Sequence, residues 1–518
     1  MPSVRPLVLA MGLLSLGTGA HAADCSALAA LPLDNGRVTA ATLVAAGAFQ
    51  PPQAPGGPPP GVAGAAFATV PAFCRVEALL QPTADSSIRV EVWLPAEGWN
   101  GKFVGIGNGI WAGQLSLSQL AAPVTRGYAA ATTDTGHSGS GLTAEWAVGH
   151  PEKLVDFGHR AVHLMTVTAK QAIAAFYGTP ESHAFWDSCS TGGRQGLMAA
   201  YRYPEDYDAI SAMAPANPMT DLMTQSMWAN WVTKRRAGAQ LDMAALSLVH
   251  GAVLQHCDAE DGLQDGIVGR PQSCGFAPAS LVCTGGNSQS CLSEAQAEAV
   301  QAIYDGVRDS AGRPLLPGWP RGAEMQLAAL VLAPTPFPVA LSYFQQLVHG
   351  SDSGWNWLTM DFSSESAQAR EFASAVLDVP AAGLQAFFAR GGKLLLSHGW
   401  NDGLIPATNT LAFHATLQGS LEKETRDEQL RLFMAPGMEH CSGGEGPNSF
   451  DTLGTLDAWV SSGSTPERLI ATRLNSPLPN APRLPPLTRP LCPYPQVAEH
   501  DGRGSTDSAE SFRCVAAP

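Results

Sequence analysis

Residues 187–194 have the sequence Asp-Ser-Cys-Ser-Thr-Gly-Gly-Arg and follow the short apolar run His183-Ala-Phe-Trp186. The apolar run predicts a buried strand, and the residues after the stretch predict a helix. Small residues two positions before and after Ser190, Ser188 and Gly192, are typical of the tight strand-to-helix turn that exposes a nucleophile. The stretch therefore predicts an α/β fold in which Ser190 lies at the end of a strand.

An aspartate and a histidine follow strand-like runs later in the chain. The apolar run 393–397 precedes Asp402, and the run 430–434 precedes His440. In an open, mostly parallel sheet, the loops that follow the strands meet at one edge. The chain order Ser190, Asp402, His440 is the order used by α/β-hydrolases, in which the histidine takes the serine proton and the carboxylate orients the imidazole. An ordinary turn aspartate is the alternative for Asp402.

Other residues are poorer candidates for the catalytic carboxylate and the catalytic histidine. Glu439 suits the third position poorly, because it is adjacent to His440 in sequence. The remaining histidines are predicted to be ordinary surface or core residues, and this applies to His137, His163, His398 and His414.

Cysteines flank two of the candidate catalytic residues. Cys189 immediately precedes Ser190, and Cys441 immediately follows His440. If these cysteines pair, the bond joins positions 252 residues apart and keeps their Cα atoms within roughly 7 Å. Ser190 and His440 would then lie close together as well. Two structural cysteines that happen to neighbour a serine and a histidine are the alternative.

Backbone N–H groups near Ser190 are candidates for an oxyanion hole. Thr191 begins the predicted helix, so its N–H can face the negative charge of a tetrahedral intermediate. We expect the second donor to come from the glycine-rich turn 105–109, with the N–H of Gly109 as the best candidate. This turn is not a dinucleotide fingerprint, because Ile110 stands where the third glycine of that motif is required.

Composition and charge narrow the class of protein. The chain has 518 residues, of which 45% are hydrophobic and 14% are charged, and this predicts a globular protein with a large core. The formal net charge of −15 argues against nucleic acid or an anionic membrane as a partner. No stretch after the first residues approaches ~20 uninterrupted apolar positions, so we expect no transmembrane helix. The sequence does not indicate an oligomeric state.

The beginning of the chain has the features of an export signal. Arg5 provides a basic start, a short apolar stretch follows, and Ala20-His-Ala22 is a small-x-small cleavage motif. We therefore predict a signal peptide over residues 1–22 and a mature protein that is secreted or periplasmic.

The pattern of the chain changes between residues 218 and 378. This stretch contains four cysteines, five tryptophans and many short helical runs, and it separates the serine segment from the aspartate segment. We predict that residues 218–378 form a lid domain. The lid is inserted into a catalytic domain that comprises residues 23–217 and 379–518.

The predicted lid contains closely spaced carboxylates. Residues 257–267 have the sequence Cys-Asp-Ala-Glu-Asp-Gly-Leu-Gln-Asp-Gly-Ile. Carboxylates and carbonyls interspersed with glycines suit a hard cation such as Ca²⁺, which takes six to eight oxygen ligands. The candidate ligands are the carboxylates of Asp258, Asp261 and Asp265 and the carbonyls of Leu263 and Ile267. The spacing is not that of an EF-hand, and a solvated acidic turn is the alternative.

Ten cysteines in an exported chain predict five disulfides. Local spacing favours three pairs, Cys257–Cys274, Cys283–Cys291 and Cys492–Cys514. The cysteines that remain are Cys25, Cys74, Cys189 and Cys441. A metal-binding role is weakly supported, because the chain has no CxxC pair and export favours oxidation.

These motifs together resemble the bacterial tannase/feruloyl esterase family, which contains feruloyl esterases, tannases and the hydrolase of mono(2-hydroxyethyl) terephthalate. The resemblance spans nearly the whole mature chain. Its landmarks are Trp99-Asn-Gly101, Gly107-Asn-Gly109, Cys189–Arg194, Asp258–Ile267, Pro436–Gly444 and Arg489–Pro495.

The resemblance implies an α/β-hydrolase fold with a large inserted lid, and a triad of Ser190, Asp402 and His440. It also implies that Cys189–Cys441 is the disulfide that joins the triad, that Cys25 pairs with Cys74, and that the lid carries a structural calcium ion. The implied activity is that of a secreted serine carboxylesterase, which forms an acyl-enzyme with small aromatic esters.

The acyl group of the substrate depends on side chains of the lid. The terephthalate-monoester branch holds its substrate's carboxylate with a lid arginine, but residues 322–369 contain no Arg or Lys, and Arg321 is the nearest candidate. Ile405 stands where that branch has an aromatic residue. We therefore expect hydroxycinnamate or related phenolic esters as substrates. Trp355 and Trp357 are candidate walls of the acyl pocket, and ordinary tryptophans of the lid core are the alternative.

The alternatives are a terephthalate monoester hydrolase, a lipase or peptidase with the same triad, and a non-catalytic binding module with a hydrolase fold. A binding module of this kind usually lacks a triad residue, and none is missing here. A lipase lid more often exposes an amphipathic apolar helix, whereas this insertion carries cysteines and tryptophans.

Overall fold

The structure is a computed structural model that describes residues 24–52, 64–285, 290–351, 353–475 and 483–517. The predicted signal peptide, residues 1–22, lies outside the described residues. Within the described part of the chain, no helix is both long enough and apolar enough to cross a membrane.

Most of the strands belong to one large sheet. The strands are β1 (Pro32–Leu33), β2 (Gly36–Val44), β3 (Phe73–Leu80), β4 (Ile88–Pro95), β5 (Lys102–Gly105), β6 (Ala129–Thr133), β7 (His183–Cys189), β8 (Ala209–Met213), β9 (Val307–Arg308), β10 (Pro314–Leu316), β11 (Lys393–Gly399), β12 (Leu430–Ala435), β13 (Leu469–Thr472), β14 (Thr488–Leu491), β15 (Val497–His500) and β16 (Phe512–Val515). The large sheet has ten strands in the order β1-β2-β3-β4-β6-β5-β7-β8-β11-β12. Three separate two-stranded sheets pair β9 with β10, β13 with β14 and β15 with β16.

The large sheet has an antiparallel part and a parallel part. Strands β1, β2, β3, β4 and β6 pair antiparallel, whereas β6, β5, β7, β8, β11 and β12 pair parallel. In β3 fully buried residues alternate with half-buried ones, as expected for an antiparallel strand with one face on the core. In β11 every residue after Lys393 is buried, which is typical of a parallel strand covered on both faces.

Helices cover both faces of the sheet. They are α1 (Leu117–Thr125), α2 (Pro151–Val155), α3 (Ala161–Tyr177), α4 (Thr191–Arg202), α5 (Met219–Lys234), α6 (Met243–Cys257), α7 (Glu294–Asp305), α8 (Glu324–Val331), α9 (Pro338–Ser342), α10 (Phe362–Leu377), α11 (Gln385–Ala389), α12 (Ala407–Ser420), α13 (Lys423–Gln429) and α14 (Thr452–Ser462). Successive residues of β11 show the two faces. Leu394 and Leu396 pack in one apolar cluster with residues of α3 and α4. Leu395 packs in another with residues of α1 and α14. The predicted α/β fold is confirmed.

The chain leaves the large sheet after β8 and returns to it at β11. The intervening residues form α5 to α11 and the small β9–β10 sheet. Apolar side chains of α5 to α10 pack into a third cluster, whereas those of α11 pack with the large sheet. This cluster also contains Trp111 and Phe157, which lie outside the predicted lid. The boundaries at residues 218 and 378 stay a prediction, because the core of the insertion is shared with these earlier residues.

All five disulfides form as expected. They are Cys25–Cys74, Cys189–Cys441, Cys257–Cys274, Cys283–Cys291 and Cys492–Cys514. No described cysteine is left unpaired. The Cys189–Cys441 disulfide joins the last residue of β7 to the loop after β12, with a Cα–Cα distance of 5.9 Å.

Candidate active site

Ser190 occupies the sharp turn between β7 and α4. Its backbone has φ 65° and ψ −128°, a sparsely populated conformation for a residue with a side chain. The two residues after Thr191 must be small here, because a Cβ atom at Gly192 would clash with Ser188 Oγ and one at Gly193 would lie 2.6 Å from the carbonyl oxygen of Met213. These small residues therefore allow the tight turn that exposes the Ser190 hydroxyl at the end of β7.

Ser190, His440 and Asp402 form one hydrogen-bonded chain. His440 Nε2 lies 2.9 Å from Ser190 Oγ, and His440 Nδ1 lies 2.7 Å from Asp402 Oδ2. The carboxylate can only accept, so Nδ1 carries the proton and Nε2 is free to accept the serine proton. Burial by itself lowers the pKa of His440, but the charge and hydrogen bond of Asp402 outweigh this effect and raise it above the ordinary value. Glu439 makes no hydrogen bond to His440 among the described residues.

Asp402 is fully buried, and donors occupy both of its oxygens. Oδ1 accepts the N–H groups of Leu404 at 2.9 Å and Ile405 at 2.8 Å. Oδ2 accepts from His440 and also from His398 Nε2, which lies 3.1 Å away. Burial alone raises the pKa of Asp402, but the two histidines hold it well below its usual range. The carboxylate is therefore ionised and held in one orientation.

His398 is a hydrogen-bond partner of Asp402 that the sequence analysis did not predict. We predicted an ordinary surface or core histidine, and the residue is indeed buried, but its ring joins Asp402 to Thr410. His398 Nδ1 lies 2.8 Å from Thr410 Oγ1, so the threonine hydroxyl can satisfy that nitrogen while Nε2 donates to the carboxylate. Its position in the sequence could have indicated this contact, because His398 lies near the end of β11, four residues before Asp402.

The two predicted oxyanion donors lie in segments that contact each other. Thr191 Oγ1 donates to the carbonyl of Ile110 at 2.7 Å, and the N–H of Gly192 donates to the carbonyl of Asn108 at 2.7 Å. Gly109 lies between these two carbonyl groups in the chain. Within the described residues, neither the Thr191 N–H nor the Gly109 N–H has a protein acceptor. Their role as oxyanion donors stays a prediction.

A small apolar cavity of about 60 Å³ opens beside the Ser190 hydroxyl. Besides Ser190, Thr191 and His440, its lining residues are Ile110, Ala216, Met219, Leu222, Met223, Ser226, Phe337, Val339, Leu404 and Ile405. Of the residues that the structure describes, no Lys, Arg, Asp or Glu lines this cavity. The lid and the loop after Asp402 therefore supply a mostly hydrocarbon wall.

The predicted pocket residues divide into two groups. Ile405 lines the cavity, but Trp355 and Trp357 do not. Trp355 donates its Nε1–H to Glu365 at 2.9 Å and stacks on His349, which holds its ring within the lid. Trp357 begins a short 3₁₀ turn, residues Trp357–Thr359. The two tryptophans are thus lid residues rather than walls of this cavity.

The acidic loop of the lid is organised around Asp258, which is buried. Asp258 Oδ1 accepts the N–H groups of Asp265 at 3.1 Å and Ile267 at 3.3 Å, and Oδ2 accepts that of Gly266 at 3.0 Å. These bonds fold residues 258–267 into a closed loop.

Asp261 and Asp265 have fewer donors than Asp258. Asp261 Oδ1 accepts the N–H of Leu263 at 3.0 Å. Asp265 Oδ2 pairs with Arg489, but Asp265 Oδ1 is buried without a hydrogen-bond partner in the described chain. Burial, together with the charges of Asp265 and Asp258, raises the pKa of Asp261 to about 6.

The carboxylates of the acidic loop are the type of ligand that a hard cation prefers. The donor set contains an unpartnered buried oxygen of Asp265 and the carboxylate of Asp261, whose pKa is raised by burial and by neighbouring carboxylates. In the described residues, the ligand atoms of Asp258, Asp261 and Asp265 are not all within 4.8 Å of one another. Two other groups of His, Cys and Glu residues do have their ligand atoms within that distance. They include Cys189, Cys441 and Cys257, which form disulfides and are not available as thiolate ligands.

A serine, a histidine and an aspartate in hydrogen-bonded sequence at the carboxyl ends of parallel strands define an α/β-hydrolase site. The family model described as "Tannase and feruloyl esterase" matches residues 74–515, and the chain belongs to this family. It is thus a carboxylic ester hydrolase of the feruloyl esterase and tannase type.

Individual relatives agree with this assignment. An uncharacterized esterase of Xanthomonas campestris is 31% identical over 97% of this chain and 93% of its own length. The mono(2-hydroxyethyl) terephthalate hydrolase of Piscinibacter sakaiensis is 30% identical over 88% of this chain and 86% of its own. The crystal structure of feruloyl esterase B from Aspergillus oryzae superposes with a TM-score of 0.84 at 26% identity, covering 95% of this chain and 99% of that one. The predicted family and fold are therefore confirmed.

Proposed function

We propose that this protein is an exported serine carboxylesterase that hydrolyses esters of aromatic acids, with hydroxycinnamates preferred, through an acyl-enzyme. The observation that carries the proposal is the continuous hydrogen-bonded chain from Asp402 through His440 to Ser190, which ends at an apolar cavity. A complete chain of this kind favours an enzyme over a non-catalytic binding module.

The geometry supports the following sequence of steps. His440 Nε2 accepts the Ser190 proton as Oγ attacks the ester carbonyl carbon, and the resulting oxyanion faces the N–H groups of Thr191 and Gly109. The imidazolium then donates that proton to the departing alkoxide, which leaves the acyl group on Ser190. Water then attacks the acyl carbon with His440 again as base, the bond between that carbon and Ser190 Oγ breaks, and the imidazolium returns the proton to Ser190 Oγ as the acid departs. Asp402 stabilises the imidazolium in both halves of the reaction.

The lining of the cavity supports an acyl group without a charge. A terephthalate monoester carries a free carboxylate, and burial of an unpaired carboxylate is costly. No cationic side chain in the described part of the chain lines the cavity. Arg321 instead donates to the carbonyl of Phe276 and lies over the ring of Tyr304. Among the described lid residues, Ser226 is the only polar side chain that lines the cavity. A ring with few polar substituents therefore fits better than a terephthalate monoester or a trihydroxylated gallate.

Steady-state hydrolysis of methyl ferulate, methyl gallate and mono(2-hydroxyethyl) terephthalate tests this proposal. We expect kcat/KM to be highest for methyl ferulate, and a Ser190→Ala variant to lose activity by several orders of magnitude on all three esters. Ser420→Ala, a substitution at an exposed helix end, is the matched control. A preference for the terephthalate monoester would overturn the acyl assignment. Near-normal turnover by folded Ser190→Ala would overturn the nucleophile.

A structural calcium ion in the lid is the second part of the proposal. The carboxylates of Asp258, Asp261 and Asp265 and the carbonyls of Leu263 and Ile267 would hold it. The unpartnered Asp265 Oδ1 and the raised pKa of Asp261 support this set. The ion would supply positive charge to the loop and no step of the reaction, because the triad already provides the nucleophile and the base.

Export to the periplasm or the medium is the third part. The five disulfides support it, because such bonds form and persist in oxidising compartments. Detection of the enzyme in the periplasmic or culture fraction of cells that express the full chain is the direct check. Retention of the reduced protein in the cytosol would contradict it.

A further inference from the structure

The lid contacts the backbone of both loops that complete the triad. Gln326 lies in the lid helix α8, and its Oε1 accepts two N–H groups from outside the lid. One is the N–H of His440 at 3.0 Å, and the other is the N–H of Gly403 at 2.9 Å. Gly403 directly follows Asp402 in the chain. A single side-chain oxygen therefore connects the loop of the catalytic base with the loop of the aspartate that orients it.

The aspartate loop and the lid helix are also in direct backbone contact. A Cβ atom at Gly403 would clash with the backbone N of Leu327 and lie 2.5 Å from the carbonyl carbon of Gln326. Any side chain at position 403 would push α8 away from the loop. The absence of a side chain there allows the contact that brings Gln326 within hydrogen-bond distance.

A charged network around the buried His250 joins the same elements a second time. His250, in the lid helix α6, lies 2.8 Å from Glu324 through Nδ1 and 2.8 Å from Glu445 through Nε2. Burial lowers the pKa of His250, but the two carboxylates outweigh this and raise it to about 10. Glu445 also accepts from Asn401 Nδ2 at 2.9 Å, beside Asp402. The lid thus holds both catalytic loops through an imidazolium as well as through Gln326.

We propose that Gln326 is a positioning residue that the lid contributes to the triad. By accepting both N–H groups, it sets the separation between the loops that carry Asp402 and His440. The lid then has a second role besides enclosing the substrate, because a displacement of ~1 Å in either loop can lower the rate about 100-fold. This inference rests on the proposed esterase mechanism.

Three variants test the inference. Gln326→Leu removes the acceptor, and Gln326→Glu keeps an oxygen in the same place. Gln301→Leu makes the same chemical change on lid helix α7, where the one hydrogen bond of the side-chain amide among the described residues goes to Asp305. The kcat, the KM for methyl ferulate and the pH profile of kcat/KM are measured well below each variant's melting temperature.

We expect Gln326→Leu to lower kcat about 10- to 100-fold with KM changed less than about threefold, and Gln301→Leu to match the wild type. Gln326→Glu should recover most of kcat, and its negative charge should move the acid limb of the profile to higher pH by favouring the His440 imidazolium. A wild-type kcat in Gln326→Leu would overturn the inference. So would a Gln326→Glu variant as impaired as Gln326→Leu with an unmoved acid limb.

A second measurement separates this inference from the proposed function. The rate at which a p-nitrophenyl phosphonate labels Ser190, followed by mass spectrometry, reports activation of the hydroxyl without ester turnover. If the wild-type protein hydrolyses no ester, the proposed function fails. The inference then still predicts slower labelling in Gln326→Leu than in the wild type, and equal labelling rates would overturn it.

Discussion

The aspartate of the triad and the aspartates of the lid's acidic loop are both withdrawn from water, but they differ in the groups that surround them. Asp402 is fully buried and accepts four hydrogen bonds, two from backbone N–H groups and two from histidines. Asp261 is only partly buried and accepts one N–H, with two further carboxylates nearby. The pKa of Asp402 is accordingly lowered, and that of Asp261 is raised to about 6.

The difference shows that burial alone does not decide whether a carboxylate stays ionised. Donors supplied by the protein stabilise the charge of Asp402, so the triad needs no added ion. Among the described residues, the acidic loop gives Asp261 one such donor and leaves one oxygen of Asp265 with none. Positive charge from outside the chain would meet that need. We therefore expect substitutions in the two regions to affect different properties, activity at the triad and stability in the loop.

The largest expected effect is that of Asp402→Asn. The variant keeps the shape of the side chain but removes the charge that stabilises the imidazolium and selects the His440 tautomer, so kcat should fall about 10³- to 10⁴-fold. Asp261→Asn should keep kcat within about threefold, because Asp261 contacts no triad residue. The kcat of each variant is measured with methyl ferulate. Asp427→Asn, a substitution at an exposed position, is the control. Equal losses of kcat in the two variants would remove the distinction between the regions.

The disulfide beside the triad should matter more for rate than one remote from it. Replacing Cys189 and Cys441 together by serine should lower kcat about 10- to 100-fold in protein that is still folded, because the bond fixes the loops of Ser190 and His440. The matched control replaces Cys492 and Cys514, which join strands near the C-terminus. If the two double variants lose stability and activity in the same proportion, the Cys189–Cys441 bond has no special part in catalytic geometry.

Removal of calcium should lower stability and leave the chemical step unchanged. An ion that binds only the folded protein stabilises it by roughly 2.7 kcal/mol at 100 times its dissociation constant. Chelator should therefore lower the melting temperature by several degrees while kcat, measured at 25 °C, stays within about twofold. Elemental analysis before and after chelation reports occupancy. Metal-free protein with an unchanged melting temperature would leave a solvated acidic turn as the correct interpretation.

The calcium effect should also depend on pH in a defined direction. Without an ion, the pKa of Asp261 is raised from 3.8 to about 6, so the folded protein binds more protons than the unfolded chain between those values. Stability of the metal-free protein should then fall as pH rises through that window, whereas a bound cation favours the ionised carboxylate. The stabilisation by added calcium should be larger at pH 7 than at pH 5. Equal stabilisation at both values would contradict the role of Asp261.

The sequence predicts the parts of this molecule that follow a local pattern. The uninterrupted apolar run at 393–397 and the small residues around Ser190 indicate a buried strand and a strand-to-helix turn, and both are present. Contacts across the fold have no such pattern. Gln326 is one glutamine in an ordinary helix, and only the approach of α8 to Gly403 gives it two donors. Likewise, residue type allows Trp355 and Trp357 to be either pocket walls or lid-core residues, because it does not specify the direction that a lid side chain takes.

The most direct test of the central claim is to identify the acyl-enzyme. Wild-type protein mixed with a ferulate ester and quenched in acid within the first turnovers should carry one feruloyl group, and peptide mapping should place it on the peptide that contains Ser190. The same treatment of Ser190→Ala should give no modified peptide. If the wild-type enzyme turns over the ester while the label is absent from Ser190, or lies on another residue, then Ser190 is not the nucleophile and the mechanism is wrong.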